Sequence, residues 1–172
     1  MGSVAKPEHE PVRLRPAVVE DVPTLLRFIR ALAEYERLLD EVTATEEALR
    51  STLFGVQPQA EVVLAEVGGT PVGFALYFHN YSTFLAKPGL YLEDLFVLPE
   101  YRGRGYGKAL LIHLARLAVE RGCGRFEWSV LDWNEPSIQF YKSLGAVPLS
   151  DWSIFRVTGA ALERLGKAPG PG

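Results

Sequence analysis

The chain has 172 residues, with 18 lysines and arginines against 21 aspartates and glutamates and a net charge of −3. That length can bury one sizeable core without a disulfide or metal staple. The acidic balance excludes nucleic acid as the main partner, because a phosphate-binding face leaves a basic imprint on composition.

No apolar run reaches the ~18 residues that span a bilayer, and polar residues and prolines stand where a signal peptide would need an apolar core. A cytoplasmic protein with no membrane partner is expected. The single cysteine, Cys123, rules out an internal disulfide and agrees with a reducing compartment. A cysteine nucleophile would need a partnered histidine, which His9, His79 and His113 do not obviously supply, so Cys123 reads as a connector residue between a helix and a strand. The same four residues lack metal-ligand spacing, and no metal is expected.

In chain order, residues 1–11 are polar and Pro-containing and read as a flexible arm. Residues 12–15 form a short strand that Pro16 stops. Val22, Leu25, Leu26, Ile29, Leu32 and Ala33 recur at helical spacing and predict a helix to about Arg37. Thr43 with Glu46 three residues on predicts a capping box for a second helix ending near Phe54. Between the helices, residues 34–41 carry four acids in eight positions; from charge alone this is a solvated helix end. Residues 61–67 and 71–81 read as strands joined through Gly68-Gly69, a hairpin pattern.

After a loop, residues 90–97 contain no Gly or Pro and predict a mostly buried strand, interrupted by the acids Glu93 and Asp94. On a regular strand these two point to opposite faces, so only one meets a cleft. Pro99 ends the strand. Arg102-Gly103-Arg104-Gly105-Tyr106-Gly107 then places three glycines at alternate positions, where a Cβ would block unusual backbone conformations and close approach of a ligand. From Lys108 the pattern turns helical, with Leu110, Leu111, Leu114, Leu117 and Ala118 on one face. The first-turn N–H groups and the helix dipole suit a pyrophosphate, with Arg102, Arg104 and Lys108 close by.

Residues 125–131 predict another strand, and residues 136–144 a short helix ended by Gly145. Residues 146–149 and 152–157 read as final strands, residues 158–165 as a last helical turn or two, and residues 166–172 as a tail. The order β-α-α-β-β-β-α-β-α-β-β predicts an α/β domain over residues 12–165, a mixed twisted sheet with helices on both faces.

Two other phosphate loops fail. A Walker A loop ending at Gly107-Lys108 needs glycine where Arg102 stands and Ser or Thr where Ala109 stands. A dinucleotide fingerprint starting at Gly103 needs its third glycine where Lys108 stands. The pattern that fits is R-x-x-G-x-G, met by Arg102, Gly105 and Gly107 after a strand ending L-F-V-L-P-E-Y. Here the sequence resembles the GNAT family of acetyl-CoA-dependent N-acetyltransferases. A second motif, Asp132-Trp133-Asn134-Glu135-Pro136-Ser137-Ile138-Gln139-Phe140-Tyr141-Lys142, resembles the family's N-x-x-[AS]-I-x-x-Y segment in the form found in its spermidine/spermine and thialysine acetyltransferases. The resemblance covers residues 12–165.

It implies the GNAT fold, acetyl-CoA as co-substrate, a small-molecule amine as acceptor, and a homodimer. It also implies roles. Leu95, Phe96 and Val97 would present backbone groups to the acetyl and pantetheine portions, where a bulge would free an N–H to polarise the thioester. The turn from Arg102 through Gly103, Arg104, Gly105, Tyr106 and Gly107 to Lys108 would hold the pyrophosphate, and Asn134 and Ser137 would meet the pantetheine arm. Tyr141 would protonate the leaving thiolate, for which a neutral phenol of pKa about 10 suffices. Glu93 would meet and help deprotonate the amine, with Asp94 as a structural partner held by an arginine across the sheet. Leu32-Ala33-Glu34-Tyr35-Glu36 matches a segment bordering the acceptor pocket, which makes Tyr35 and Glu36 acceptor-binding candidates. The relatives' acids before the last strand are reduced here to Asp151, so a short diamine or a lysine analogue competes with a full polyamine as acceptor. A protein N-terminus or lysine side chain is the alternative acceptor, and a CoA-binding module without turnover the alternative of another class.

Overall fold

The structure, a computed structural model, describes residues 10–168. Of the expected N-terminal arm only Glu10 and Pro11 fall within it, and residues 169–172 of the expected tail lie outside the described residues. The chain forms two compact units, the first ending at Leu131 and the second beginning at Asp132.

The first unit holds β1 (Arg13–Pro16), α1 (Val22–Tyr35), α2 (Glu46–Phe54), β2 (Glu61–Val67), β3 (Thr70–Ser82), β4 (Lys87–Val97), α3 (Tyr106–Glu120) and β5 (Arg125–Trp128). The strands form one sheet in the order β1-β2-β3-β4-β5, antiparallel except for the parallel pair β4–β5. Gly68 and Gly69 have φ of 56° and 79°, the two positive values that a two-residue hairpin requires, and they bring Thr70 opposite Val67. Strand alternation then buries both faces. On one, Val62, Leu64, Phe74 and Phe96 pack with Leu25, Phe28, Leu32, Leu49 and Leu53 of α1 and α2. Phe28 anchors this side, its ring centre 6.0 Å from those of both Phe74 and Phe96. A fully buried ring of this kind stabilises the fold by roughly 1.5–3 kcal/mol. The alternate residues Val63, Ala65 and Ala75 are equally buried on the face that α3 covers with Leu110, Leu111, Leu114 and Ala118.

Edge strand β1 is tied in by charge. Arg15 Nε donates to Glu66 at 2.7 Å, and its two terminal nitrogens donate to Asp21 at 2.7 and 2.9 Å, joining β1, β2 and the turn before α1. This guanidinium, helped by the Val18 N–H and opposed by burial, holds the Asp21 carboxyl below its ordinary range.

The mixed sheet with helices on both faces agrees with the sequence reading, and several details correct it. The cap of α2 is Thr45, not Thr43: Thr45 has the extended backbone of an N-cap, and its hydroxyl accepts the Ala48 N–H at 3.2 Å. Strand β5 stops at Trp128, three residues short of the expected end.

The second unit contains α4 (Glu135–Ser143) and α5 (Gly159–Gly166). Asn134 caps α4, its side-chain oxygen accepting the Ser137 N–H at 3.4 Å, and Gly145 ends it with φ of 89°. The strands expected at residues 146–149 and 152–157 do not form among the described residues. Strand-forming side chains express their preference only against a neighbouring strand and a covered face. Here Val147, Trp152, Ile154 and Phe155 are exposed, and no ladder pairs with them.

Candidate active site

The site in the first unit is built around an irregularity in β4. Leu76 of β3 pairs with Asp94, but the next residue, Tyr77, pairs with Leu92, so Glu93 is the extra residue of a β-bulge. The bulge cancels the alternation on which the opposed orientation of Glu93 and Asp94 was expected. Asp94 now falls in step with Leu76 and, two residues on, with Phe96, on the face that α1 covers. No arginine pairs with Asp94 among the described residues, so its expected role as an arginine-held strut is not met. Its carboxyl is instead pushed up to about 6, by burial first and then by the negative charges of Glu93 and Glu36. Burial likewise raises Glu36. Glu36 therefore shares one electrostatic environment with the adjacent pair Glu93 and Asp94, of which Glu93 is exposed and Asp94 partly buried.

Helix α1 supplies the wall beside them. Tyr35 is its last residue and Glu36 its C-cap, and the chain leaves through Arg37, whose φ of 62° lies in the left-handed region usual for helix ends. Over Tyr35 lies a residue from the glycine turn. The Arg102 guanidinium carbon stands 4.7 Å from the Tyr35 ring centre and 5.5 Å from that of Phe96, while its Nε donates to the Val97 carbonyl at 2.9 Å. The spacing of the glycine motif gave no hint of this contact with α1.

The turn has the construction that an anion site needs. Gly103 and Gly105 adopt φ of 75° and 84°, and a Cβ on either would meet nothing within 4 Å, so both have a left-handed backbone with open space beside it. Gly107 differs: it lies in the first turn of α3, where its position faces the Val97 side chain. The helix starts at Tyr106, two residues earlier than expected, and its first ladder bond runs from the Ala109 N–H to the Gly105 carbonyl at 2.9 Å. The N–H groups of Tyr106, Gly107 and Lys108 precede that ladder and sit at the positive end of the helix. The Tyr106 side chain is buried and donates to the Glu10 carbonyl, which leaves its backbone as the part able to serve a ligand. Arg104 lies back over Tyr101, donating to the Glu100 carbonyl at 3.0 Å, and Lys108 is exposed. Coenzyme A fits these residues, since its phosphates match a helix N-terminus flanked by three cations.

Beyond the turn, β4 has an open edge. Parallel pairing with β5 runs from Gly89 opposite Arg125 to Leu92 opposite Trp128 and stops there, one residue before the bulge. Leu95, Phe96 and Val97 keep their partners on β3 and have none on the β5 side.

In the second unit, Asn134 is buried as the cap of α4. Ser137 donates its N–H to that cap. Tyr141 follows in the last turns of the helix, partly buried, with its ring 5.6 Å from Phe140. Ile138 is also partly buried.

Comparison with known proteins agrees with this construction. Residues 26–146 match the acetyltransferase (GNAT) family. The chain is 41% identical over 165 residues to a thialysine N-epsilon-acetyltransferase of Sus scrofa, covering 90% of this chain and 96% of that protein. It is 35% identical over 200 residues to an L-ornithine N5-acetyltransferase of Arabidopsis thaliana, covering 90% and 88% respectively. Among solved structures, an integron cassette protein from the mobile metagenome of V. cholerae superposes with a TM-score of 0.77 at 27% identity, over 91% of this chain and 98% of that one. A glycine turn with positive φ opening α3, a bulged β4 whose far edge is free, and a match spanning most of the sequence lead to one conclusion: the chain belongs to the GNAT family of N-acetyltransferases, whose co-substrate is acetyl-CoA.

Proposed function

We propose that this chain acetylates a primary amine of a small cationic acceptor, a diamine or a lysine analogue such as thialysine, by direct transfer in a ternary complex. The observation that carries this reading is the bulge at Glu93, which leaves Glu93 and Asp94 within the electrostatic reach of Glu36, next to the Tyr35 that Arg102 of the phosphate turn covers. An acidic, partly desolvated cluster favours a compact cation over a neutral group.

When bound, acetyl-CoA supplies the acetyl thioester. The N–H groups of Tyr106, Gly107 and Lys108, with Arg102, Arg104 and the Gly103 and Gly105 backbone, hold its phosphates. The open edge from Leu95 to Val97, with Asn134 and Ser137, meets the pantetheine arm. An alkylammonium has no lone pair, so Glu93 accepts a proton from the amine, directly or through water. Asp94 adds negative charge beside Glu93, and Tyr35 and Glu36 hold the distal cationic end. Tyr141 donates its phenolic proton to the departing thiolate.

The same reading has the enzyme acting as a cytoplasmic homodimer. In its support, Trp152, Ile154 and Phe155 are 79%, 80% and 93% exposed, apolar surface that a second copy would cover. No helix among the described residues is long and apolar enough to cross a membrane. A monomer mass in sedimentation equilibrium would remove the dimer.

The test is thiol release from acetyl-CoA across putrescine, spermidine, lysine, thialysine, ornithine and a peptide with a free N-terminus. Turnover on a small cation that Glu93→Gln lowers by about 10²-fold supports the proposal. Turnover on the peptide alone replaces it with a protein acceptor, and thiol release from none of them defeats it.

A further inference from the structure

Arg102 belongs by sequence to the phosphate turn and by contact to the acceptor wall. Its guanidinium covers the ring of Tyr35 at 4.7 Å and that of Phe96 at 5.5 Å, and its Nε is anchored on the Val97 carbonyl. Arg104, two residues on, shows what a turn arginine without that link looks like: it lies over Tyr101 and bonds the Glu100 carbonyl, both within its own loop. Of these two arginines, Arg102 stacks on α1. A cation therefore already rests on the aromatic face that stands next to Glu36, the surface on which a cationic acceptor would place its own charge.

We propose that Arg102 couples the two substrates: its guanidinium competes with the acceptor cation for the Tyr35 ring, and the cofactor's phosphates withdraw it, so that cofactor binding raises acceptor affinity. The inference rests on the cofactor and acceptor readings above. The direction follows from relative strengths. A guanidinium bonded to phosphate is doubly charge-assisted, whereas its present contacts are one neutral carbonyl and the faces of two rings, so the phosphate wins the exchange. The coupling is worth about one exposed cation–π contact, roughly a two- to fivefold change in acceptor affinity. By linkage the acceptor must raise cofactor affinity by the same factor.

Two measurements test it. The first uses coenzyme A alone and reads the Arg102 Nε–H resonance, which ring current from Tyr35 shifts upfield and which Tyr35→Leu should return toward the ordinary position. Saturating coenzyme A should also move it away from the ring-shifted position, together with the Gly105 and Gly107 amides. Moving glycine amides with a stationary Arg102 resonance overturn the coupling and leave the cofactor reading standing. If no signal moves, both fall. The second measures thialysine and putrescine binding with and without coenzyme A. Arg102→Gln should raise affinity in the absence of cofactor about two- to fivefold and remove the cofactor dependence, while Arg104→Gln weakens coenzyme A binding yet keeps that dependence. An unchanged cofactor dependence in Arg102→Gln overturns the coupling. If neither thialysine nor putrescine binds the wild-type protein under either condition, the acceptor reading falls and takes the coupling with it.

Discussion

Leu76 lies directly across the sheet from Asp94, although the pairing on its other side joins Tyr77 to Leu92. One inserted residue, Glu93, thus turns Asp94 to the α1 side beside two other acids. Its carboxyl rises from 3.8 to about 6, so the native state binds a proton between roughly pH 4 and 6 that the unfolded chain does not. Stability contributed by that proton is present below about pH 4, declines as the pH rises through this window, and is gone above about 6. Asp94→Asn should therefore stabilise the fold at pH 7.5 by on the order of 1–3 kcal/mol and change little near pH 4. Urea unfolding at the two pH values reads the difference; an equal effect at both would refute the buried-carboxylate account.

Glu93 is the exposed acid, and its substitution tests chemistry more than stability. Glu93→Gln should lower kcat/KM for the amine by about 10²-fold and leave the KM for acetyl-CoA near its original value. Loss of cofactor affinity instead would mean that the bulge serves the thioester and not the amine.

Gly105 and Gly107 should respond differently to the same methyl group. Gly105→Ala forces a Cβ onto a backbone with φ of 84° and should cost about 1–2 kcal/mol of stability. Gly107→Ala meets the Val97 side chain only at 3.9 Å and removes a helical glycine, so stability should hold or rise by about 0.5–1 kcal/mol. Both should weaken coenzyme A binding if the turn grips phosphate through its backbone. Thermal unfolding with a binding isotherm separates the two effects.

Tyr141→Phe should depress kcat by about 10² to 10⁴-fold while acetyl-CoA still binds. Burst kinetics on the amine chosen by the thiol-release panel would show the loss in the chemical step. An unchanged rate would assign the phenol a packing role on α4.

Arg15 holds Glu66, a carboxylate only 7% exposed, together with Asp21. Arg15→Leu leaves that buried charge without its partner and should cost about 3–5 kcal/mol in urea unfolding. A cost below 1 kcal/mol would show that β1 is held by packing alone.

Local chemistry made much of this legible in the sequence. Gly68-Gly69, the helical spacing from Val22 to Ala33, and the glycines opening α3 each encode a conformation through neighbours a few residues away. The resemblance implied a bulge near Leu95 to Val97, but its place at Glu93 was not legible in the residues, because it exists only in the register between β4 and β3, which no property of residues 90–97 fixes. Arg102 lying over Tyr35 is likewise a contact across 67 positions of sequence, invisible to motif spacing. The apolar residues scattered from Val147 to Val157 misled for the opposite reason: Val147, Trp152, Ile154 and Phe155 suit a strand, but strand formation also needs a partner.

The parallel ladder between β4 and β5 ends at Leu92 and Trp128, which divides the site by the kind of atom it offers. From Leu95 to Val97 the free edge presents peptide groups, and a point substitution other than proline leaves them in place. The acids at positions 36, 93 and 94 present side chains, each exchangeable by one base change or two. On the proposed assignment, drift at position 36 retunes the choice of amine while the peptide edge offered to the acetyl donor stays constant, whereas exchange of Glu93 also removes the base.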